Sequence, residues 1–138
     1  ISDHVFTDPD LDVEGIIWSS AHEVEDLSGI HIGIMPMPDN EWSKGKCGFK
    51  GLQYMGLGKA VVLTNVGVNS EIIEDGVNGF LATSSDEWFT KLSALIDDAD
   101  LRLRIGKAAR KTVEEQYSVR AWRDFYIDKF NKLLTDKQ

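Results

Sequence analysis

Residues 45–62 read GKCGFKGLQYMGLGKAVV: a glycine-rich loop with two lysines, a short segment of helical spacing, then Gly58-Lys59 and a β-branched run. Gly45 and Gly48 allow a backbone to approach a ligand closely. The helix predicted to follow offers N–H groups without intrahelical partners and the positive end of its dipole, with Lys46 and Lys50 beside it. Together these favour an anion, a phosphate or a diphosphate. The spacing is neither G-x-x-x-x-G-K-[ST] nor G-x-G-x-x-G, so the glycines alone do not specify a dinucleotide. Clustered surface lysines serving only as a solvated face are the ordinary alternative.

Outward from this stretch the chain alternates strand and helix. Upstream, HIGIMPMP (31–38) predicts a buried strand carrying Ile32, Ile34 and Met35, ended by Pro36 and Pro38, which cannot donate to a ladder. Before it, GIIWSS (15–20) predicts another strand, and HEVEDLSGI (22–30) a helix with Val24, Leu27 and Ile30 on one face and Gly29 at its end. Downstream, Phe49, Leu52 and Gly56 fall on one helical face, and KAVVLTN (59–65) is a strand. NSEIIED (69–75) is a short helix with Asn69 or Ser70 as cap, and Asn78-Gly79 turns the chain into the strand FLAT (80–83).

The last third is helical. Ser84 and Glu87 have capping-box spacing ahead of Trp88, Leu92, Leu95 and Ile96. A second helix runs from Leu101 through Ile105, Ala108, Ala109 and Thr112 toward Tyr117. Ser118 caps a third, whose stripe of Trp122, Phe125, Tyr126, Phe130 and Leu133 is large enough to need a covering surface. The expected fold is α/β: a Rossmann-like, doubly wound parallel sheet with a helical C-terminal third, binding its ligand beyond the carboxyl ends of the strands. The loop after HIGIMPMP lies at such an end.

Composition narrows the function. At 138 residues the chain is long enough for one core and short for two, so a single domain over 1–138 is expected, with closing helices over about 85–135. It starts at Ile1, and a piece of a longer protein is expected. The net charge of −8 argues against nucleic acid, and no apolar run approaches the roughly 20 residues of a membrane span. Its distribution is uneven: no lysine or arginine precedes Lys44, after which Lys44, Lys46 and Lys50 arrive together. A lone Cys47 fits a reducing compartment, so the cytoplasm is expected. His4, His22, His31 and Cys47 have no metal-ligand spacing, and no metal or cofactor is expected.

IGIMPMPDNEW (32–42), then residues 45–82, then residues 87–119, resemble the C-terminal half of a family 4 retaining glycosyltransferase (glycosyltransferase group 1) of the GT-B fold. The resemblance runs from about Gly15 onward. It rests on independent pieces in the family's order: the M-P that ends a strand, the glycine turn into a helix, G-x-x-V-V, G-x-x-x-E-I-I, D-G-x-N-G-F-L and a closing helical pair. It implies a nucleotide-diphosphate sugar as ligand. Lys46, Gly48, Phe49 and Lys50 would meet the donor diphosphate or sugar, and Gln53 the ribose. Trp42, placed to stack on a base or sugar, and Glu71 are further candidates, each with an ordinary structural role as the alternative.

The family's E-x7-E motif falls on Gly45 and Gln53, so neither glutamate is present. No catalytic residue is assigned within this chain. The resemblance further implies an N-terminal acceptor domain, bacterial polysaccharide or glycolipid synthesis, possible work at the inner face of the membrane, and inactivity of this part alone. Its last helix would reach that acceptor domain or, exposed, drive self-association. The alternative is a non-catalytic Rossmann-like module for a nucleotide or phosphorylated metabolite. A receiver-like signalling domain would need an acidic cluster at its strand ends, where only Asp39 stands.

Overall fold

The computed structural model of the chain describes residues 5–135. It forms two compact units, one up to Ile30 and one from His31 onward.

In the first unit residues 5–22 form neither a helix nor a strand. Asp8 Oδ1 accepts the Asp10 N–H at 2.9 Å in a turn, and Gly15 packs so tightly on Phe6 that a Cβ there would stand 2.6 Å from the Phe6 carbonyl oxygen. The strand expected at 15–20 does not form. Ile17 makes only an isolated bridge and, like Trp18, is about half exposed; among the described residues the apolar run meets no ladder that would extend it. Helix α1 (Glu23–Ser28) does form, with Glu23, Glu25 and Asp26 at its dipole-favoured first turn and Gly29 as its C-cap. Of its expected face only Leu27 is buried; Val24 points to solvent.

The second unit holds three parallel strands in the order β1 (Ile32–Met35), β2 (Ala60–Thr64), β3 (Phe80–Ala82). Ile32 pairs with Ala60, and Val62 with Phe80. Strand β2 is buried along its whole length, as its unbroken apolar run requires for a strand covered on both faces. Val61 and Leu63 point to one side, packing with Met55, Ile72, Ile73 and Ala109. Ala60 and Val62 point to the other, with Ala82, Leu95 and Ile105. Strand β1 lies at the sheet edge, so only Gly33 is buried and Ile34, expected in the core, is about half exposed.

Between the strands run α2 (Glu41–Lys44), α3 (Phe49–Gly56) and α4 (Asn69–Ile72); after them come α5 (Ser85–Asp97), α6 (Ala99–Thr112), a π-helical turn (Val113–Tyr117) and α7 (Val119–Thr135). Helix α3 turns Gly51 and Met55 inward and leaves Phe49 62% exposed, so the expected face of Phe49, Leu52 and Gly56 is rotated. The α4 N-cap is Val68, without a side-chain cap; Asn69, expected to cap, is buried in the first turn instead. The capping box forms as read: Ser84 accepts the Glu87 N–H, and the Glu87 carboxylate accepts the Ser84 N–H at 3.1 Å. Ile96 is exposed although its stripe-mate Leu95 is fully buried.

Helix α6 serves both faces of the sheet, sending Ile105 to one cluster and Ala109 to the other. It can do so because Gly106 meets the backbone of Gly58: a Cβ on Gly106 would lie 2.1 Å from the Gly58 carbonyl oxygen. The Ser118 hydroxyl accepts the Ala121 N–H at 3.1 Å at the start of α7. No residue of α7 is buried, and Trp122, Phe125 and Tyr126 stack mainly on one another, the first two edge to face at 5.5 Å. No helix among the described residues is long and apolar enough to cross a membrane.

Candidate functional site

The site is built at the carboxyl end of β1, where Pro36 and Pro38 cannot extend the ladder and the chain must turn away. Thr64, the last residue of β2, holds that turn. Its Oγ1 accepts the Met37 N–H at 2.8 Å and faces the Met35 carbonyl at 3.4 Å. The returning loop, expected to be irregular, contains the single turn α2, whose N-cap Asn40 accepts the Ser43 N–H at 2.9 Å and whose C-cap is Gly45.

Gly48 then starts α3. Its φ of 67° lies in the left-handed region, where a side chain is disfavoured, and its missing side chain leaves room for Ile72, Asn69 and Val68. The first helical bond runs from the Leu52 N–H to Gly48 O at 3.1 Å, so the N–H groups of Phe49, Lys50 and Gly51 precede the ladder and emerge at the helix start.

A cavity of about 540 Å³ opens beside this start, walled on one side by residues 34–37 and on the other by 45–50. One wall is mostly apolar; the other offers N–H groups and lysines. Lys44 is already partnered, by Glu41 at 3.0 Å and Asp39 at 3.6 Å. Lys46 and Lys50 have no carboxylate partner among the described residues, so the local positive charge belongs to the two lysines that line the cavity. A smaller hollow of about 270 Å³ adjoins the ends of the strands, between residues 36–38, Thr64, Thr83 and Trp88.

The structure brings Lys46, Gly48, Phe49 and Lys50 around the larger cavity. Gln53 is half-buried one turn further along α3 and outside the lining, Trp42 is 78% exposed on α2, and Glu71 is exposed on α4. Three contributors escaped the sequence reading: the apolar wall at 34–37, Thr64 and Asn69. Met35 and Met37 flanking Pro36 signalled the first; nothing in periodicity marks the other two. Among the described residues no three His, Cys, Asp or Glu side chains gather in a metal-holding group. Tyr54, on the buried side of α3, has its phenol pushed up by burial and packs against Gly33 rather than the cavity.

The arrangement can bind an anion with an attached apolar or aromatic group. The family model described as Glycosyl transferases group 1 matches residues 14–98. Among solved structures, the C-terminal domain of the group 1 family protein LpcC from Francisella tularensis is 28% identical with a TM-score of 0.63, over 76% of this chain and 52% of that one. HepE from Anabaena, solved in complex with UDP, is 21% identical with a TM-score of 0.62, over 78% of this chain and 29% of that one. Sucrose-phosphate synthase from Thermosynechococcus elongatus is 15% identical with a TM-score of 0.64, over 80% and 27%. The last two likenesses speak for the fold alone. This chain spans about half the length of the first and under a third of the others. No curated protein matches it.

Proposed function

Because the chain belongs to the group 1 glycosyl transferases, we propose that it is the donor-binding part of a retaining, family 4 enzyme that moves a sugar from a nucleotide-diphosphate sugar to an acceptor. The observation carrying this reading is the α3 start, where emerging N–H groups, Gly48 at φ 67° and the uncompensated Lys46 and Lys50 line one cavity. The diphosphate lies on that wall and the nucleoside against residues 34–37, with Gln53 toward the ribose. HepE was solved with UDP and with UDP-glucose, which makes a uridine diphosphate the first probe.

In the reaction the bond from the anomeric carbon to the diphosphate breaks and one to the acceptor oxygen forms with the same configuration. The acceptor proton leaves with the nucleoside diphosphate. The part of this chain is to stabilise negative charge as it grows on the leaving diphosphate, with amides and ammonium groups and without a resident metal. The acceptor site belongs to an N-terminal domain outside this chain, which the exposed apolar stripe of α7 would meet, and this part alone transfers no sugar. Work in the cytoplasm on a polysaccharide or glycolipid, at the membrane face, completes the reading.

Titration calorimetry of the chain with UDP and GDP tests it. Binding that prefers one base and weakens several-fold in Lys50→Ala is expected; no binding of either would overturn the reading. A non-catalytic binding module is the second reading, favoured by Gly45 where the family carries a sugar-contacting glutamate. A protein that contains this chain and an acceptor domain, binds UDP, and neither transfers nor hydrolyses any donor sugar would establish it.

A further inference from the structure

Asn69 is the least expected residue near the site: an amide with 0% exposure in the first turn of α4. Its Nδ2 donates to Thr64 O at 2.9 Å, which fixes the amide orientation, because the reversed group would set carbonyl against carbonyl. The other end, Oδ1, is the one buried side-chain polar atom without a hydrogen-bond partner among the described residues. It lies under the glycine turn, where a methyl built on Gly48 would come within 3.2 Å of it. An acceptor lacking a donor thus sits against a turn whose emerging N–H groups precede the helical ladder.

We propose that Asn69 is a positioning residue for the diphosphate, its Oδ1 accepting a backbone N–H of the 47–49 turn when the anion is bound and so aiming the remaining N–H groups at it. The inference deepens the donor-domain reading and rests on it. Glycine at 48 gives the turn the freedom to rotate a peptide plane toward Oδ1. An empty buried acceptor raises the free energy of the unliganded arrangement, and filling it favours the liganded one, a differential interaction of the kind that shifts a conformational equilibrium. The same side chain refers both cavity walls to one post. Through Nδ2 it holds the Thr64 carbonyl, whose own residue holds the Met37 N–H at 2.8 Å.

The test is nuclear magnetic resonance of the isotopically labelled full chain with UDP as probe. With UDP, the amides of residues 48–50 shift, and a coupling across the hydrogen bond joins a turn amide nitrogen to the Asn69 side-chain carbonyl carbon; without UDP that coupling is missing. In Asn69→Ala, and in Asn69→Leu, which refills the volume without the oxygen, UDP dissociates at least tenfold more readily from the folded fraction. Wild-type chain that binds UDP at the turn without the coupling, or variants that lose thermal stability but keep the wild-type dissociation constant, would overturn the inference and leave the donor reading standing. A wild-type chain that binds neither UDP nor GDP, the second probe if UDP does not bind, overturns both.

Discussion

Alanine at Gly48 meets two separate obstacles whose sizes follow from the geometry. At φ 67° a Cβ costs about 1–2 kcal/mol against its own backbone. The methyl would also stand 2.7 Å from Ile72 Cδ1, 3.2 Å from Asn69 Oδ1 and 3.3 Å from Val68 Cγ1, an overpacking of about 1–3 kcal/mol. The nearest neighbour is the far end of an isoleucine that can swing aside, so the lower part of that range applies and the sum is about 2–4 kcal/mol. At about 4 °C per kcal/mol for a chain of this size, the thermal midpoint should fall by about 8–16 °C. Gly45→Ala is the control, since its φ is −79° and its methyl would lie 3.6 Å from Trp42 O, an ordinary van der Waals contact; its effect should stay within about 0.5 kcal/mol. Urea and thermal unfolding of the two variants, followed by circular dichroism, decide the matter. Coincident midpoints for Gly48→Ala and Gly45→Ala would refute both the strain and the packing argument.

Other substitutions probe other parts. Gly106→Ala, normally a gain of about 1 kcal/mol inside a helix, should here cost about 3 kcal/mol or more, because its methyl would meet a main-chain oxygen at 2.1 Å; soluble yield and urea midpoint report it. Ser84→Ala should lower stability by about 1 kcal/mol in urea unfolding through loss of the α5 cap. The N–H groups of Thr83 and Ser84 hold the Glu87 carboxyl below its ordinary range. A folded pKa below the unfolded value of about 4.3 gives stability that is present above that pH and lost as pH falls through the folded value. The wild-type thermal midpoint should therefore drop more steeply below about pH 4 than that of Glu87→Gln. Lys44→Ala, which removes an exposed lysine already paired with Asp39 and Glu41, should leave UDP affinity within twofold by calorimetry, in contrast to Lys50→Ala.

The strands β1, β2 and β3, the capping box and the glycine turn were legible because each is written locally: an apolar run between turn formers, a Ser and a Glu three apart, a Gly just before a helical pattern. Helix faces were legible only in part. Phe49 and Ile34 have core chemistry, but one stands at a helix start beside a cavity and the other on an edge strand, and neither position can be read from a hydrophobicity pattern. The run at 15–20 failed for a related reason, since a strand exists only with a neighbour to pair with. Within the site, the sequence yielded the parts that touch solvent, the lysines and glycines. Thr64 and Asn69 were hidden because their importance lies in partners 27 and 5 residues away, Met37 and Thr64 respectively.

The crossing of α6 at Gly58 bears on where this fold can be cut. The match to the family model ends at 98, after the last strand and the glycine turn have been made. Yet a chain stopped there would lose Ile105 from the cluster of Val62 and Ala109 from that of Met55, thinning the cover of β2 on both of its faces at once. Helix α6 acts as a clasp between the two layers, so neither is free to melt alone, and loosening it should be felt as one event from the cavity to the far edge of the sheet. Anyone grafting this donor site onto another protein would have to carry the clasp along with the loop.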